Sequence, residues 1–238
     1  MSKVLAVVAG LLFFDVSALK VVPFVYSFNP EDRNQYSFQY YIENKTDDYM
    51  AFEISIFRRK VDRNGDDILE KDEHSFRINP KQVIIPPHMQ CSIRMCWNGN
   101  AEFFTNPGVE QAYRVCMNQF PIPASKESQK VSRRNANIKV TYQIKASLYA
   151  TPGKAKENLK VMKADSNTII IKNNGTKRGE LRYSNLTLNG RKVVDLIDPN
   201  EIHSVVMPNS ERIYHIKKTS RKTQKNNHKS EESSILRR

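Results

Sequence analysis

The side chains best able to do chemistry in this 238-residue chain stand apart from one another. His74, His88, His203, His215 and His228 have no neighbour at a spacing that pairs a base with a nucleophile. Cys91, Cys96 and Cys116 lack an adjoining His or a second Cys pair, so zinc-ligand spacing is absent. No Gly-x-Ser-x-Gly, His-Glu-x-x-His or glycine-rich phosphate loop occurs, and eight Gly leave little backbone freedom for a phosphate cradle. Asp62-x-Asn64-Gly65-Asp66 with Glu70 resembles a calcium loop only superficially: its Gly stands fourth rather than sixth, and Asn-Gly is a hairpin signal. The sequons at Asn44, Asn174 and Asn185 are read as coincidence. These observations argue against an enzyme and imply neither cofactor nor metal.

Charge and chain ends narrow the remaining classes. The formal net charge is +13, which would suit nucleic acid, anionic lipid or an acidic partner. Residues 217–238 alone supply +6 of it, and a tail so poor in apolar side chains reads as a solvated, disordered extension. At the other end, Lys3 precedes an apolar run from Val4 to Phe14, followed by Val16-Ser17-Ala18. That pattern is a secretory signal over residues 1–18, too short to span a bilayer. Export leaves no role for nucleic acid, and no other stretch is long enough for a membrane span.

The elements that must carry function are strands. Tyr36, Phe38 and Tyr40 alternate with polar residues, as do Phe52, Ile54 and Ile56, then Phe76 and Ile78, and Val83 to Ile85 follow before Pro86. Cys91, Ile93, Met95 and Trp97 share a face, and so do Tyr113, Val115 and Met117. Ser125 to Asn137 is a polar, basic loop. A long alternating run follows, with Ile138, Val140, Tyr142, Ile144, Ala146 and Leu148 on one face. Such a strand can add itself to a partner's sheet. Period two alone does not say whether the face packs in its own domain or completes another. Thr151-Pro152-Gly153-Lys154 marks a hinge, and a second set of short strands is expected at 168–172, 181–188, 192–196, 203–207 and 213–216. The fold class is therefore all-β, with two immunoglobulin-like sandwich domains over 19–150 and 151–217, and a basic tail over 218–238.

A family resemblance rests on Glu110, Tyr113-Arg114-Val115 and Pro121, preceded by Phe76-x-Ile78-x-Pro80 and Cys91-Ser-Ile-Arg94, and followed by Leu148-Tyr149-x-x-Pro152. In this order the chain resembles the periplasmic pilus chaperones, the PapD-like family. The resemblance implies a boomerang of two immunoglobulin-like domains that caps pilin-like subunits in the periplasm by donor-strand complementation and delivers them to an outer-membrane usher. It assigns subunit binding to Ile138, Val140, Tyr142 and Ile144, and anchoring of the subunit's terminal carboxylate to Lys145. Where the family carries a first-strand Arg this chain has Val25, with Lys20 the nearest cation. Arg94 and Glu110 match a charge network, and Arg114 belongs to the motif. Cys96 and Cys116, each two residues after an Arg on proposed neighbouring strands, are a possible disulfide. A static adaptor of the major-sperm-protein type, binding a protein or peptide without pilus assembly, is the alternative.

Overall fold

Short stretches of alternating apolar and polar residues, closed by Pro, Gly and Asn, produce a mostly β structure. The computed structural model describes residues 18–122, 141–201 and 205–217. By contact density these fall into two compact units that part at Gly153/Lys154, with residues 60–68 and 108–110 grouped in the second.

The first unit contains β1 (Leu19–Val22), β2 (Val25–Phe28), β3 (Ser37–Asn44), β4 (Met50–Val61), β5 (Asp67–Lys71), β6 (Phe76–Asn79), β7 (Gln82–Ile85), β8 (Gln90–Trp97), the short helix α1 (Ala101–Thr105), β9 (Gln111–Phe120) and β10 (Gln143–Ala150). One sheet has the order β1-β3-β8-β6, and the other β2-β10-β9-β4-β5 with β7 also on β4. The inward positions are those that period two selects, because alternate side chains face the same side of a sheet. Between the sheets, Phe28, Phe38, Phe76, Trp97 and Tyr113 form an aromatic centre, with Phe76 4.8 Å from Trp97 and 5.0 Å from Tyr113 by ring centroids. The expected strands at 36–40, 52–57, 76–78, 83–85, 91–97 and 113–117 all form. The run beginning at Ile138 is shorter than expected where it can be followed: β10 starts at Gln143, and Ile138 and Val140 lie outside the described residues.

Asn44 ties the end of this sandwich. It is fully buried, its amide donating to the carbonyls of Asp48 (2.7 Å), Ile85 (3.1 Å) and Pro86 (3.0 Å) while its oxygen accepts from the Thr46 amide and hydroxyl. A side chain so enclosed is no glycan acceptor.

The second unit contains β11 (Leu159–Ala164), β12 (Thr168–Asn173), β13 (Gly179–Glu180), β14 (Thr187–Leu188), β15 (Arg191–Lys192), β16 (Val205–Val206) and β17 (Ser210–His215). Its sheet runs β11-β12-β17, and Ile169, Ile171, Leu181, Val193, Ile197, Val206 and Tyr214 form its core. Here expectation and structure differ. Residues 181–188 and 192–196 are not strands: each region combines one turn of 3-10 helix with a two-residue strand, and Leu181 and Val193 plug the core from the helical turns. β11 pairs with β12 although its alternation is broken by a bulge between Val161 and Lys163. Asn173 repeats the device of Asn44, donating to the carbonyls of Lys177 (2.8 Å) and Val206 (3.0 Å) and accepting from the Gly175 amide.

Two inserts complete the second unit. At the tip of the β4–β5 hairpin the Asp62 carboxylate caps the amides of Asn64, Gly65 and Asp66 at 2.7 to 2.9 Å. Bonding to the Asp66 amide, then to those of Gly65 and Asn64, with the Arg212 charge added, holds its carboxyl below the ordinary range despite some desolvation. Gly65 has φ of +100°, and a side chain there would run into the Arg212 guanidinium. The other insert brings Glu110 to Arg178: Nη1 of Arg178 meets the carboxylate at 2.6 Å, and the Arg178 amide donates to its second oxygen at 3.0 Å. Glu110 and Arg178 are both buried, at 4 % and 8 % exposure.

Truncating Asn44 to Ala strands buried carbonyls and should lower unfolding free energy by about 2–4 kcal/mol in urea titrations. Glu110→Ala removes the buried carboxylate from Arg178, leaving its guanidinium to the part-exposed Glu180 at 3.2 Å, and is expected to cost about 2–4 kcal/mol, with Glu110→Gln, which can keep the bond from the Arg178 amide, losing less.

Candidate functional site

The site is assembled from strand β10 and what lies on its two flanks. Along one flank β9 pairs with it over its whole length, from Gln143↔Asn118 to Ala150↔Gln111. Along the other flank β2 pairs in parallel only with its second half, from Ser147↔Val25 to Ala150↔Phe28. The reason lies in the preceding chain. β1 belongs to the facing sheet, where Leu19–Val22 pair with Asn44–Tyr41 of β3, and the chain crosses to β10 only after Pro23, which has no amide hydrogen to give a ladder. Among the described residues no strand pairs with Gln143–Ala146 on that flank.

Alternate residues of a strand direct both backbone groups to the same flank. Ser147 donates its amide to the Phe24 carbonyl at 2.9 Å and Thr151 donates to that of Phe28 at 2.8 Å, so the odd-numbered residues point toward β2. Tyr142 points the other way, its carbonyl accepting from the Gln119 amide at 2.9 Å. By this parity the amides and carbonyls of Gln143 and Lys145 line the half-open flank. A buried or partner-covered surface cannot tolerate such groups unpaired, and an extended backbone is the ligand that satisfies both kinds at once.

The side chains of β10 divide by face. Ala146 and Leu148 lie in the core of the first unit, and Tyr142 and Ile144 are half-buried against it. The apolar face is thus seated in its own sandwich at the Leu148 end and only partly covered at the Tyr142 end. On the opposite face Lys145 is exposed, and among the described residues its ammonium has no ion-pair partner. It shares a row across the sheet with Cys116 and Ser55. In the next row stand Val25, Ser147, Arg114 and Phe57, where the Arg114 guanidinium donates to the Ser147 hydroxyl. Val25, at the position where the resemblance implies an arginine, is 55 % exposed on the strand next to Lys145. Lys20 lies on the other sheet and meets Glu43 at 3.8 Å, so it is no substitute.

The remaining residues singled out from the sequence have other places. Tyr113 is fully buried; its hydroxyl donates to Gln111 Oε1 (2.8 Å) and accepts from Asn100 (2.6 Å), which fastens β9 to the loop before α1. Arg94 and Glu110 do not form the expected charge network: Arg94 donates to the Ser37 hydroxyl at 3.1 Å on an exposed sheet face, and Glu110 is engaged by Arg178. Arg178 escaped notice because nothing in the spacing of a solvated-looking Lys-Arg-Gly-Glu segment marks it as the partner of a residue 68 positions earlier. The Cys96–Cys116 disulfide is not formed, and none of the three cysteines is in a disulfide. Cys96 points outward from β8 in one sheet, and Cys116 lies on the outer side of β9 in the other, so the core separates them. Burial raises the Cys91 thiol above its ordinary value.

Among the described residues no cluster of His, Cys, Asp or Glu could hold a metal, and no helix is long and apolar enough to cross a membrane. No family model and no curated protein matches the chain by sequence. Solved structures do match it in three dimensions. The Escherichia coli chaperone DraB is 16 % identical with a TM-score of 0.57, over 84 % of this chain and 85 % of its own. The Salmonella enterica SafA pilin in complex with the SafB chaperone matches at 12 % identity and TM-score 0.56, with 83 % of each chain covered. The CsuC–CsuE chaperone–tip subunit pre-assembly complex of Acinetobacter baumannii Csu pili matches at 16 % identity and TM-score 0.55, over 83 % of this chain and 90 % of the other. The described residues of this chain therefore share the fold of these chaperone structures.

Proposed function

We propose that this protein is a chaperone of pilus biogenesis that binds pilin-like subunits by lending them strand β10 and delivers them to an outer-membrane usher. The observation that carries this reading is the half-open flank of Gln143–Ala146. A subunit short of one strand exposes an apolar groove and two strand edges, both prone to aggregate. A strand offered from a rigid sandwich supplies backbone hydrogen bonds along its length, while half-buried Ile144 and Tyr142 provide apolar side chains at the spacing of alternate pockets. By their spacing in the sequence Ile138 and Val140 are the further donor residues of this reading, and they lie outside the described residues. Lys145, exposed and without an ion-pair partner among the described residues, holds the subunit's terminal carboxylate by a charge-assisted hydrogen bond.

The protein acts without cofactor and without catalytic residues, because capping needs only differential binding of an unfinished subunit. The apolar segment Val4–Phe14 and the Ala18 junction direct it to the periplasm, and cargo binding belongs to the domain over 19–150, not to the smaller domain over 151–217 or the basic tail over 218–238.

Binding of a purified pilin subunit that lacks its final strand tests the reading. Ile144→Asp should abolish complex formation on gel filtration, and Lys145→Ala, an exposed change that leaves the fold intact, should weaken it about 10- to 100-fold. Wild-type affinity in both variants would mean that β10 is not the donor.

A further inference from the structure

The outer face of the second unit's sheet carries a charge pattern that the fold itself does not explain. By register, Lys160 of β11, Lys172 of β12 and Glu211 of β17 form one row, and Lys163, Ile170 and Ile213 form the next. Ile169, Ile171 and Tyr214 point the other way into the core, so both rows face outward. Lys160 and Lys163 stand three positions apart and would ordinarily lie on opposite faces. The bulge between Val161 and Lys163 shifts the phase and brings both lysines to this one. Like charges directly opposite on neighbouring strands destabilise a ladder, yet Lys160 stands directly across from Lys172. The carboxylate in their row is already engaged, with Glu211 3.1 Å from Arg63. Asp165, near enough to feel the charge of Lys163, is turned into its own loop by the Asn167 and Thr168 amides and the Thr168 hydroxyl. Among the described residues Lys160, Lys163 and Lys172 have no ion-pair partner.

Lysines on an edge strand commonly serve only to repel foreign strands, and that accounts for Lys160 and Lys163. It does not account for Lys172, which lies on the central strand β12. We infer that this face seats on an anionic phospholipid bilayer, with lipid phosphates between Lys160 and Lys172 and beside Lys163. Three observations choose a lipid surface over an acidic polypeptide. The unpaired cations are lysines, compact point charges that need no fixed partner geometry. Arg63, Arg178 and Arg212, which would grip a carboxylate in a bidentate fork, are engaged internally by Glu211, by Glu110 with Glu180, and by the Val205 carbonyl. Half-buried Ile170 and Ile213 stand in the row beside the cations, a mixture that suits the boundary between headgroups and acyl chains. The positive excess also continues past the sheet: residues 154–238 hold nineteen of the 38 Lys and Arg but nine of the 25 Asp and Glu, and the chain leaves this sheet through β17 toward the basic tail. The inference goes beyond strand lending and does not depend on it.

Co-sedimentation of the full chain with extruded vesicles tests this, using phosphatidylcholine alone and phosphatidylcholine with about 30 % phosphatidylglycerol. The apolar run Val4–Phe14 meets both kinds of vesicle, so the readout is the preference for the anionic ones. That preference is expected at about 0.05 M salt and should vanish near about 0.5 M as screening shortens. Replacing Lys160 and Lys172 together by Gln should lower it about 10- to 30-fold, whereas the charge-matched pair Lys45→Gln with Lys81→Gln, exposed in the first unit, should lower it less than about twofold. Removing residues 218–238 should weaken the preference and leave the remainder sensitive to Lys160 and Lys172. Equal losses in the two double variants would reduce the effect to bulk charge and overturn the inference, as would a truncated chain indifferent to Lys160 and Lys172. Retention on immobilised polyglutamate without any preference among vesicles would assign the face to an acidic polypeptide instead. Because Lys172→Gln relieves a like-charge pair, its thermal unfolding midpoint should not fall; a fall that accompanies the loss of vesicle binding would mark a structural role and refute the docking face.

Discussion

One constraint organises this molecule: the first strand cannot serve both sheets at once. β1 completes the β3 side of the sandwich and β2 completes the β10 side, and Pro23 and Phe24 take the chain across. Because the crossing comes at that point, among the described residues only the second half of β10 is paired on this flank, and its first half directs amides and carbonyls there. A first strand placed wholly in either sheet would give a closed sandwich or a lost β1 edge. The distribution of side chains on β10 follows from the same division. Ala146 and Leu148, beside β2, are committed to the core, whereas Tyr142 and Ile144, beside the unsealed flank, are only half-covered.

A flank left partly unpaired costs stability, and the first unit recovers rigidity from elsewhere. The aromatic centre of Phe28, Phe38, Phe76, Trp97 and Tyr113 lies between the sheets, with ring separations from 4.8 to 6.3 Å. Phe28 ends β2 and Tyr113 lies directly across from Leu148 of β10, so the sealed half is fixed to the largest side chains of the core. Asn44 and Asn173 do comparable work at strand ends, each replacing several missing backbone partners with one buried amide. The two units thus use the same solution on unrelated stretches of sequence.

Much of the first unit was legible from alternation alone, since period two marks an inner face wherever the core is apolar, as at Ile93, Met95 and Trp97. What alternation cannot carry is which strand lies beside which. The pairing of β10 with only half of β2, the separation of Cys96 from Cys116 by the core and the meeting of Glu110 with Arg178 are all long-range choices, made by register rather than by local pattern. In the second unit even the local pattern misled. Leu181 and Val193 look like strand residues but enter the core from turns, because a small core can be plugged by a single side chain without a ladder behind it. The family resemblance located Lys145 and Val25, which stand on adjacent strands, with Val25 one row beyond Lys145.

An edge that welcomes a foreign strand is equally a template for another molecule of the same kind. Here Lys145 lies in the middle of the exposed stretch and Gln143 precedes it, so two copies meeting edge to edge would bring like charges together within a molecule that already carries +13. That repulsion works against self-pairing at low ionic strength and fades as the screening length contracts to about 10 Å near 0.1 M salt. On the function proposed above, the cation that would suit the strand to a carboxylate-bearing guest also discourages the protein from becoming its own guest.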